Sequence, residues 1–291
     1  QEKKILNYNA CSSELTKLKK ELTWLKEVDS TALQTSLKDL DSAFQKFFME
    51  NAGYPKYKSK KNPVQSYTSK SNGEAINVQG NHIRIPKLGL VKFAKSREIN
   101  GRILSATIRR NPTGKYFVSI LVENQKELPK KKPIKERTSV GIDMGVKTFA
   151  TLSDGTVFEN PKHLRNNLRR LRVEQRKLSR RFKKGAKEQS KSYQKQKLIV
   201  AKLHEHIKNQ REGYLHKVST QIIRSFDTIC LEDLNIKGMM QNKKLALSIG
   251  EVGWHKFKTM LEYKARWYGK NILYIGRFEP SSKLCSHCGT I

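Results

Sequence analysis

The sequence predicts a multidomain α+β protein: a small helical domain, a domain of short strands, and an α/β sheet interrupted by a basic helical hairpin. Three observations predict this. Apolar residues recur every three or four positions up to about residue 50. The period falls to two between Pro63 and Leu128. From Ser139 onward, strand patterns alternate with long helical stretches. With 291 residues, 36% of them hydrophobic, the chain can bury a real core in two domains or so.

Ser13, with Glu14 and Thr16, is expected to open a helix running through Leu15, Leu18, Leu22 and Leu25. Asp29 or Ser30 can cap a second helix, with apolar residues at 33, 37, 40, 44 and 47 and Asn51-Ala52-Gly53 at its end. The leucine and phenylalanine stripes of both are most simply core. Tyr54-Pro-Lys-Tyr-Lys-Ser-Lys-Lys61 follows. Its Tyr54, Lys56, Tyr57 and Lys58 combine ring faces with cations, which suits base stacking and phosphate contact. A solvated basic linker fits that segment equally well. Ile76/Val78, Ile83/Ile85, Val91/Phe93, Ile103 to Ile108 and Tyr116 to Val122 read as short strands, separated by glycine-containing turns. They imply a small barrel or sandwich. Pro129-Lys-Lys-Lys-Pro133 reads as a linker.

Ser139 to Phe158 reads as a strand, a second strand and a tight turn at Asp154-Gly155. The first strand carries Asp143 between Gly141 and Gly145. A carboxylate at the buried end of a strand is costly unless it is paired or binds a cation, and flanking glycines admit a phosphate or metal close to the backbone. Three readings compete: a metal-binding acid on the central strand of a nuclease sheet, an Asp that merely ends a strand, and the Asp-x-Gly-x-Lys phosphate loop of an actin-like ATPase.

Residues 161–224 carry 20 Lys/Arg against 4 Glu and no Asp, about half of the chain's formal net charge of +33. Leu164, Leu168, Leu171 and Leu178 keep one helical seam, and Val200, Leu203, Ile207, Tyr214, Val218 and Ile222 keep another. Lys183 to Lys187 breaks between them, which predicts a basic antiparallel helical hairpin. Its one-sided charge disfavours an ordinary exposed helix pair, whose signs are mixed. His204 and His206, two apart, do not share a helix face and are rejected as a metal pair. Phe226 to Asn235 is a strand ending in Glu232-Asp233, and a crossover can lay it parallel to the Asp143 strand. Acids on adjacent strand ends can hold Mg²⁺ between them, and oxygen-only ligands suit that ion. Glu232 as a plain strand end is the bland alternative. Cys230 is expected to be a buried small hydrophobe.

Ile236 to Gly253 reads as a polar loop able to act as a mobile lid, Trp254 to Tyr268 as a helix stopped by Gly269, and Asn271 to Phe278 as a strand. Cys285 and Cys288 stand at zinc-knuckle spacing and make half a tetrahedral site. With four cysteines, two of them a close pair, a metal site in a reducing compartment fits better than a disulfide scaffold. The charge excess makes nucleic acid the expected partner, through release of counterions from phosphates. A membrane surface is the weaker alternative, since no apolar run reaches spanning length and no signal peptide is visible. Gln1 and Ile291 both look like cut ends.

Five stretches occur together in order: Gly141-Ile-Asp-Met-Gly-Val-Lys147, Leu231-Glu-Asp-Leu-Asn235, Leu245 to Trp254, Tyr263-Lys-Ala with Gly269, and Phe278 to Gly289. With Ser12-Ser-Glu-Leu15, Glu27-Val-Asp29 and Ala32-Leu-Gln34 they span essentially the whole chain. The set resembles TnpB (transposon OrfB) proteins, relatives of type V CRISPR nucleases. The resemblance implies an RNA-guided DNA endonuclease that cuts beside a short duplex motif. It would comprise part of a helical recognition domain (1–52), a wedge-like β-barrel lacking its first strand (53–136), a RuvC, RNase H-like α/β nuclease domain (137–279) and the first half of a zinc ribbon (280–291). Asp143 and Glu232 match the first two RuvC carboxylates, implying Mg²⁺ or Mn²⁺, and Cys285 and Cys288 match half of the ribbon's Zn²⁺ ligands. The implied partners are a guide RNA from the transposon end and double-stranded target DNA, with no membrane, in a prokaryotic cytoplasm and acting at the nucleoid. Tyr8 and Gln34 match positions expected to face the DNA motif, while Lys147, Arg169, Arg170, Arg172 and Arg176 are expected to contact nucleic acid. The family's second Cys-x-x-Cys and third RuvC aspartate do not occur within 1–291, so the alternative is a cleavage-inactive, RNA-guided DNA-binding or RNA-binding remnant.

Overall fold

The computed structural model describes residues 7–276 and divides into two compact units, Gln1–Lys126 and Glu127–Ile291.

In the first unit, helix α1 (Tyr8–Glu21) starts earlier than its sequence pattern suggests. Asn7, not Ser13, is the cap, its side-chain oxygen accepting from Ala10 N at 2.9 Å. A 3₁₀ turn (Thr23–Lys26) then buries Leu25. Helix α2 (Ser30–Met49) is capped by Asp29, which accepts from Thr31 N at 3.1 Å, and the chain leaves it through Asn51 at φ 50°. Strands β1 (Gln65–Lys70), β2 (Asn77–Gln79), β3 (His82–Ile85), β4 (Gly89–Lys92), β5 (Arg102–Arg110) and β6 (Tyr116–Glu123) form two three-stranded antiparallel sheets, ordered β1-β5-β6 and β2-β3-β4. Ile76, Ile83, Ile85 and Ala106 are buried in a shared core, with Val78, Phe93, Ile103, Ile108, Val118 and Ile120 against it. A barrel or sandwich is the expectation for these strands; among the described residues two three-stranded sheets form and no closed barrel does. Strand β1 (Gln-Ser-Tyr-Thr-Ser-Lys) was not foreseen. It carries no apolar alternation and is held as a strand by its ladder to β5.

The second unit contains β7 (Ser139–Met144), β8 (Thr148–Leu152), β9 (Val157–Glu159), α3 (His163–Arg181), α4 (Lys191–Ser225), β10 (Thr228–Glu232), α5 (Ile236–Met239), α6 (Ala246–Val252), α7 (Trp254–Tyr268) and β11 (Asn271–Ile275). They build one mixed sheet ordered β11-β10-β7-β8-β9, in which β10 runs parallel to both β7 and β11 while β8 is antiparallel to its neighbours. Val140, Ile142, Ile229 and Leu231 share a core with Leu215, Ile222 and Ile223 of α4 and with Phe257 and Leu261 of α7. Helices α3 and α4 form the expected hairpin, closed at Gly185 and zipped by Leu171, Val200, Leu203 and Ile207. Gln196 is buried within it and satisfied on both sides of its amide: it donates to Glu174 Oε2 at 2.6 Å and accepts from Arg181 at 2.8 Å.

Two sequence expectations are corrected here. The stretch 236–253 is not a loop throughout: it holds two short helices, α5 and α6, joined by exposed residues 240–245. Ser248, Ile249, Glu251 and Val252 are buried, and Glu251 Oε1 accepts from Arg165 N at 2.9 Å, capping the start of α3 from a distance of 86 residues in sequence. The segment 129–133 is not a free linker either. Lys132 N donates to Gly269 O at 3.0 Å, Asn271 Nδ2 donates to Lys132 O at 2.8 Å, and Lys132 Nζ meets Asp227 at 3.0 Å, so the strand is strapped onto the sheet's end.

Candidate functional site

The parallel register decides where the two acids stand. Ile229 lies level with Val140, Cys230 with Gly141 and Leu231 with Ile142. One step further puts Glu232 level with Asp143. Neighbouring strands are about 4.8 Å apart, and residues level in a parallel ladder project to the same side. Ile142 and Leu231 face the core, so Asp143 and Glu232 both project from the opposite face, at the carboxyl ends of adjacent strands. Asp143 is exposed and Glu232 half-buried. The donor set is two carboxylates, the hard oxygen ligands that Mg²⁺ and Mn²⁺ prefer. Among the described residues, no group of three or more His, Cys, Asp or Glu is arranged to hold a metal ion.

The surroundings are specific. Lys147 is exposed in the turn that follows β7. At Gly145 a Cβ would meet Thr148 O at 2.8 Å, so that glycine is required by the β7–β8 turn itself. At Gly141 a Cβ would meet only Ser153 at 3.8 Å, an ordinary contact. Cys230 shares the face of Glu232 and is half-buried rather than fully buried, and burial pushes its thiol up. Lys258 of α7 was missed by sequence reasoning. Its Nζ lies 3.9 Å from the centre of the Tyr274 ring and 3.4 Å from Asp233 Oδ1, next to Glu232. Tyr274 in turn donates to Glu262 at 2.5 Å; burial and that carboxylate hold its hydroxyl far above the usual range. Nothing local in the sequence marks Lys258, because β11 has to come alongside β10 before the ring can sit under the ammonium.

On α3 the four candidate arginines are all exposed, but they do not share one face. Arg169, Arg172 and Arg176 follow steps of three and four and line up, while Arg170 projects about 100° around the helix. The same row continues to Arg180, which lines a shallow depression of about 460 Å³ with Arg172, Gln175, Arg176 and Ser179. Arg180 was legible from its spacing and was not singled out. In the first unit, Tyr8 and Gln34 come to one side: Lys38, one turn on from Gln34, places its Nζ 4.8 Å from the Tyr8 ring. Tyr54 is 65% exposed, and its ring makes edge contacts to Phe44 at 5.7 Å and Phe47 at 5.4 Å. Tyr57 is fully exposed, and Lys56 and Lys58 are exposed beside it. Cys285 and Cys288 lie outside the described residues. No helix among the described residues is long and apolar enough to cross a membrane.

Comparison with known proteins agrees with this architecture. Residues 119–243 match the OrfB_IS605 family model, described as "Probable transposase", and residues 254–291 match the Cas12f1-like TNB domain. A Streptomyces pristinaespiralis protein named "Putative RNA-guided DNA endonuclease" is 35% identical over 296 residues, spanning 100% of this chain and 71% of that one. InsQ of Escherichia coli K12, named in the same words, is 33% identical over 304 residues, spanning 98% and 72%. Among solved structures, a Cas12f1–sgRNA–target DNA complex superposes with a TM-score of 0.55 at 14% identity, over 89% of this chain and 63% of that one. The fold is thus Cas12f1-like, a mixed α+β architecture. The chain belongs to the TnpB (OrfB) family.

Proposed function

We propose that this chain is an RNA-guided DNA endonuclease of transposon origin. In this reading a guide RNA from the transposon end pairs with double-stranded target DNA beside a short duplex motif, and the Glu127–Ile291 unit is a RuvC-type, RNase H-like nuclease. The observation that carries the reading is the parallel register that sets Asp143 and Glu232 side by side. The names of the two relatives above support the choice of substrate. Asp143 and Glu232 would hold Mg²⁺ or Mn²⁺, and that ion would stabilise the charge that builds on the phosphoryl oxygens during hydrolysis. The chain's own part is positional. The ladder between β7 and β10 fixes the spacing of the two acids, and Lys147 adds a cation at the rim. The arginine row of α3 attracts a phosphate backbone. Cys285 and Cys288 would supply two thiolates to Zn²⁺. Asp143→Ala and Glu232→Ala are each expected to lower DNA cleavage on the order of 10³-fold or more, the equivalent of several kcal/mol, while RNA binding stays intact. Cleavage and RNA affinity measured on the same preparations check this. Undiminished cleavage in either variant would remove that acid from the site, and a wild type that binds RNA and DNA without cutting would favour a purely binding role.

A further inference from the structure

The first unit holds a second feature suited to polyanions, far in sequence from the carboxylate pair. A cavity of about 490 Å³ opens beside the start of α2, and Lys19, Lys26, Lys70 and Lys87 all line it. These lysines come from four elements: the end of α1, the 3₁₀ turn, the end of β1 and the turn between β3 and β4. Only the fold brings them together. None of them has an ion-pair partner among the described residues. Among the described residues Asp29 is the single carboxylate in the lining, and it is already engaged, accepting from Thr31 N at 3.1 Å and from Thr31 Oγ1 at 2.8 Å. The helix start is therefore capped by its own aspartate, and the cationic character of the cavity rests on the lysines.

The wall is tied down by hydrogen bonds at Lys70. Thr31 Oγ1 also accepts from Lys70 N at 2.9 Å and lies 3.3 Å from Ser69 Oγ, which ties the start of α2 to the end of β1. Lys87 adopts φ 66°, a left-handed conformation that side-chain-bearing residues rarely hold. The size falls within the range of small-ligand pockets, yet among the described residues no aromatic side chain lines it, and these residues offer no surface for stacking a base or nucleoside. What the lining offers is point charges, the lysine mode of phosphate recognition.

The geometry points to a backbone-phosphate seat: the cavity takes one or two neighbouring phosphates of a bound nucleic acid and fixes the strand's position without reading its sequence. This rests on the nucleic-acid reading given above and adds a place on the chain that the carboxylate site and the arginine row do not include. Phosphate contacts of this kind position a strand and carry no direct sequence information.

The test compares the full chain, freed of nucleic acid, with the variant Lys26→Gln/Lys70→Gln/Lys87→Asn. Asparagine is chosen at 87 because it tolerates the left-handed conformation. Affinity is measured against salt for a single-stranded RNA and a duplex DNA of matched length, each in two unrelated sequences. Loss of one or two phosphate contacts lowers the log–log salt slope by about 0.7 per contact on a single strand and about 0.9 on a duplex. A drop of that size in the RNA arm alone assigns the seat to RNA, and in the DNA arm alone to DNA. Unchanged slopes in both arms overturn the seat, as does a drop confined to one sequence. A control triple, Lys20→Gln/Lys46→Gln/Lys92→Gln, removes equal charge elsewhere in the same unit; if its slopes fall as far, the cavity is not special and the seat is overturned. If the first variant lacks a cooperative melting transition, Lys26→Gln/Lys70→Gln is read in its place by the same criteria. A wild type with no salt-dependent binding to either polymer overturns the nucleic-acid reading itself, whereas steep wild-type slopes with an unchanged variant remove the seat alone.

Discussion

Asp143 and Asp227 are aspartates at opposite ends of adjacent parallel strands, and their neighbours give them different work. Asp227 is engaged by Lys270 at 2.5 Å and Lys132 at 3.0 Å, and hydrogen bonds from those two ammonium groups, Lys270 first, hold its carboxyl below the ordinary 3.8. It anchors the strap at 129–132 rather than any chemistry. A carboxylate whose folded value is lowered stabilises the fold fully above its unfolded value, and loses that contribution as pH falls through the folded one. Asp227→Asn should therefore melt below the wild type at neutral pH, and the two melting curves should converge as the pH drops below about 3.8. A gap that does not change with pH would show that charge is not what holds the strap. Gly269 lies across from the same strap. It sits at φ 62°, and a Cβ there would stand 2.6 Å from Lys130 O. Gly269→Ala is expected to cost about 1–3 kcal/mol, read by chemical denaturation, with secondary structure retained.

At the level of elements, the α3–α4 hairpin sorts its arginines by face. Charge reversal of Arg169, Arg170, Arg172 and Arg176 together should weaken RNA binding and lower the salt slope by about 2, or about 0.7 for each of the three arginines that share a row. Arg170→Glu alone should account for less of this than Arg172→Glu, and equal effects would argue against the row as the contact surface. Much of this organisation was legible beforehand. Leu164, Leu171 and Leu178 of the expected seam, the break at Gly185, the Asp29 cap and the stop at Gly269 each rest on one local preference, and each was found; Leu168 is not part of the hairpin's apolar cluster. What was not legible depends on partners distant in sequence. The polar strand β1 is a strand only because β5 lies alongside it. The stretch 236–253 reads as polar, but Glu251 finds the unsatisfied N–H of Arg165 and the helix is drawn into the core. The two acids could be read as strand ends, but their standing level with each other is a property of the ladder, which no single strand encodes.

For the whole molecule, the formal net charge of +33 is spread over both units, with 59 Lys/Arg against 26 Asp/Glu. Such self-repulsion weakens a compact state until a polyanion neutralises it. The composition announced the kind of partner but not the points of contact, because a chain this basic has lysines on every face. Only the fold distinguishes the four that converge on a cavity from the many that do not. Helix α4 joins two regions of this design. Its 35 residues make a rod of about 52 Å. Val200, Leu203 and Ile207 belong to the hairpin's own apolar cluster, while Leu215, Val218 and Ile222 belong to the core beneath the sheet. Between them lies Gly213, the one glycine of the helix, where an added Cβ would meet nothing within 4 Å. Alanine there should raise stability by about 0.5–1 kcal/mol. That leaves the glycine without a packing reason and sets the residue of lowest helix propensity in this helix between the arm that carries the arginine row and the sheet that carries the two acids. If flexing at that joint serves turnover, Gly213→Ala will yield a protein that melts higher and cuts more slowly; if both properties rise or hold together, the rod works as a rigid strut.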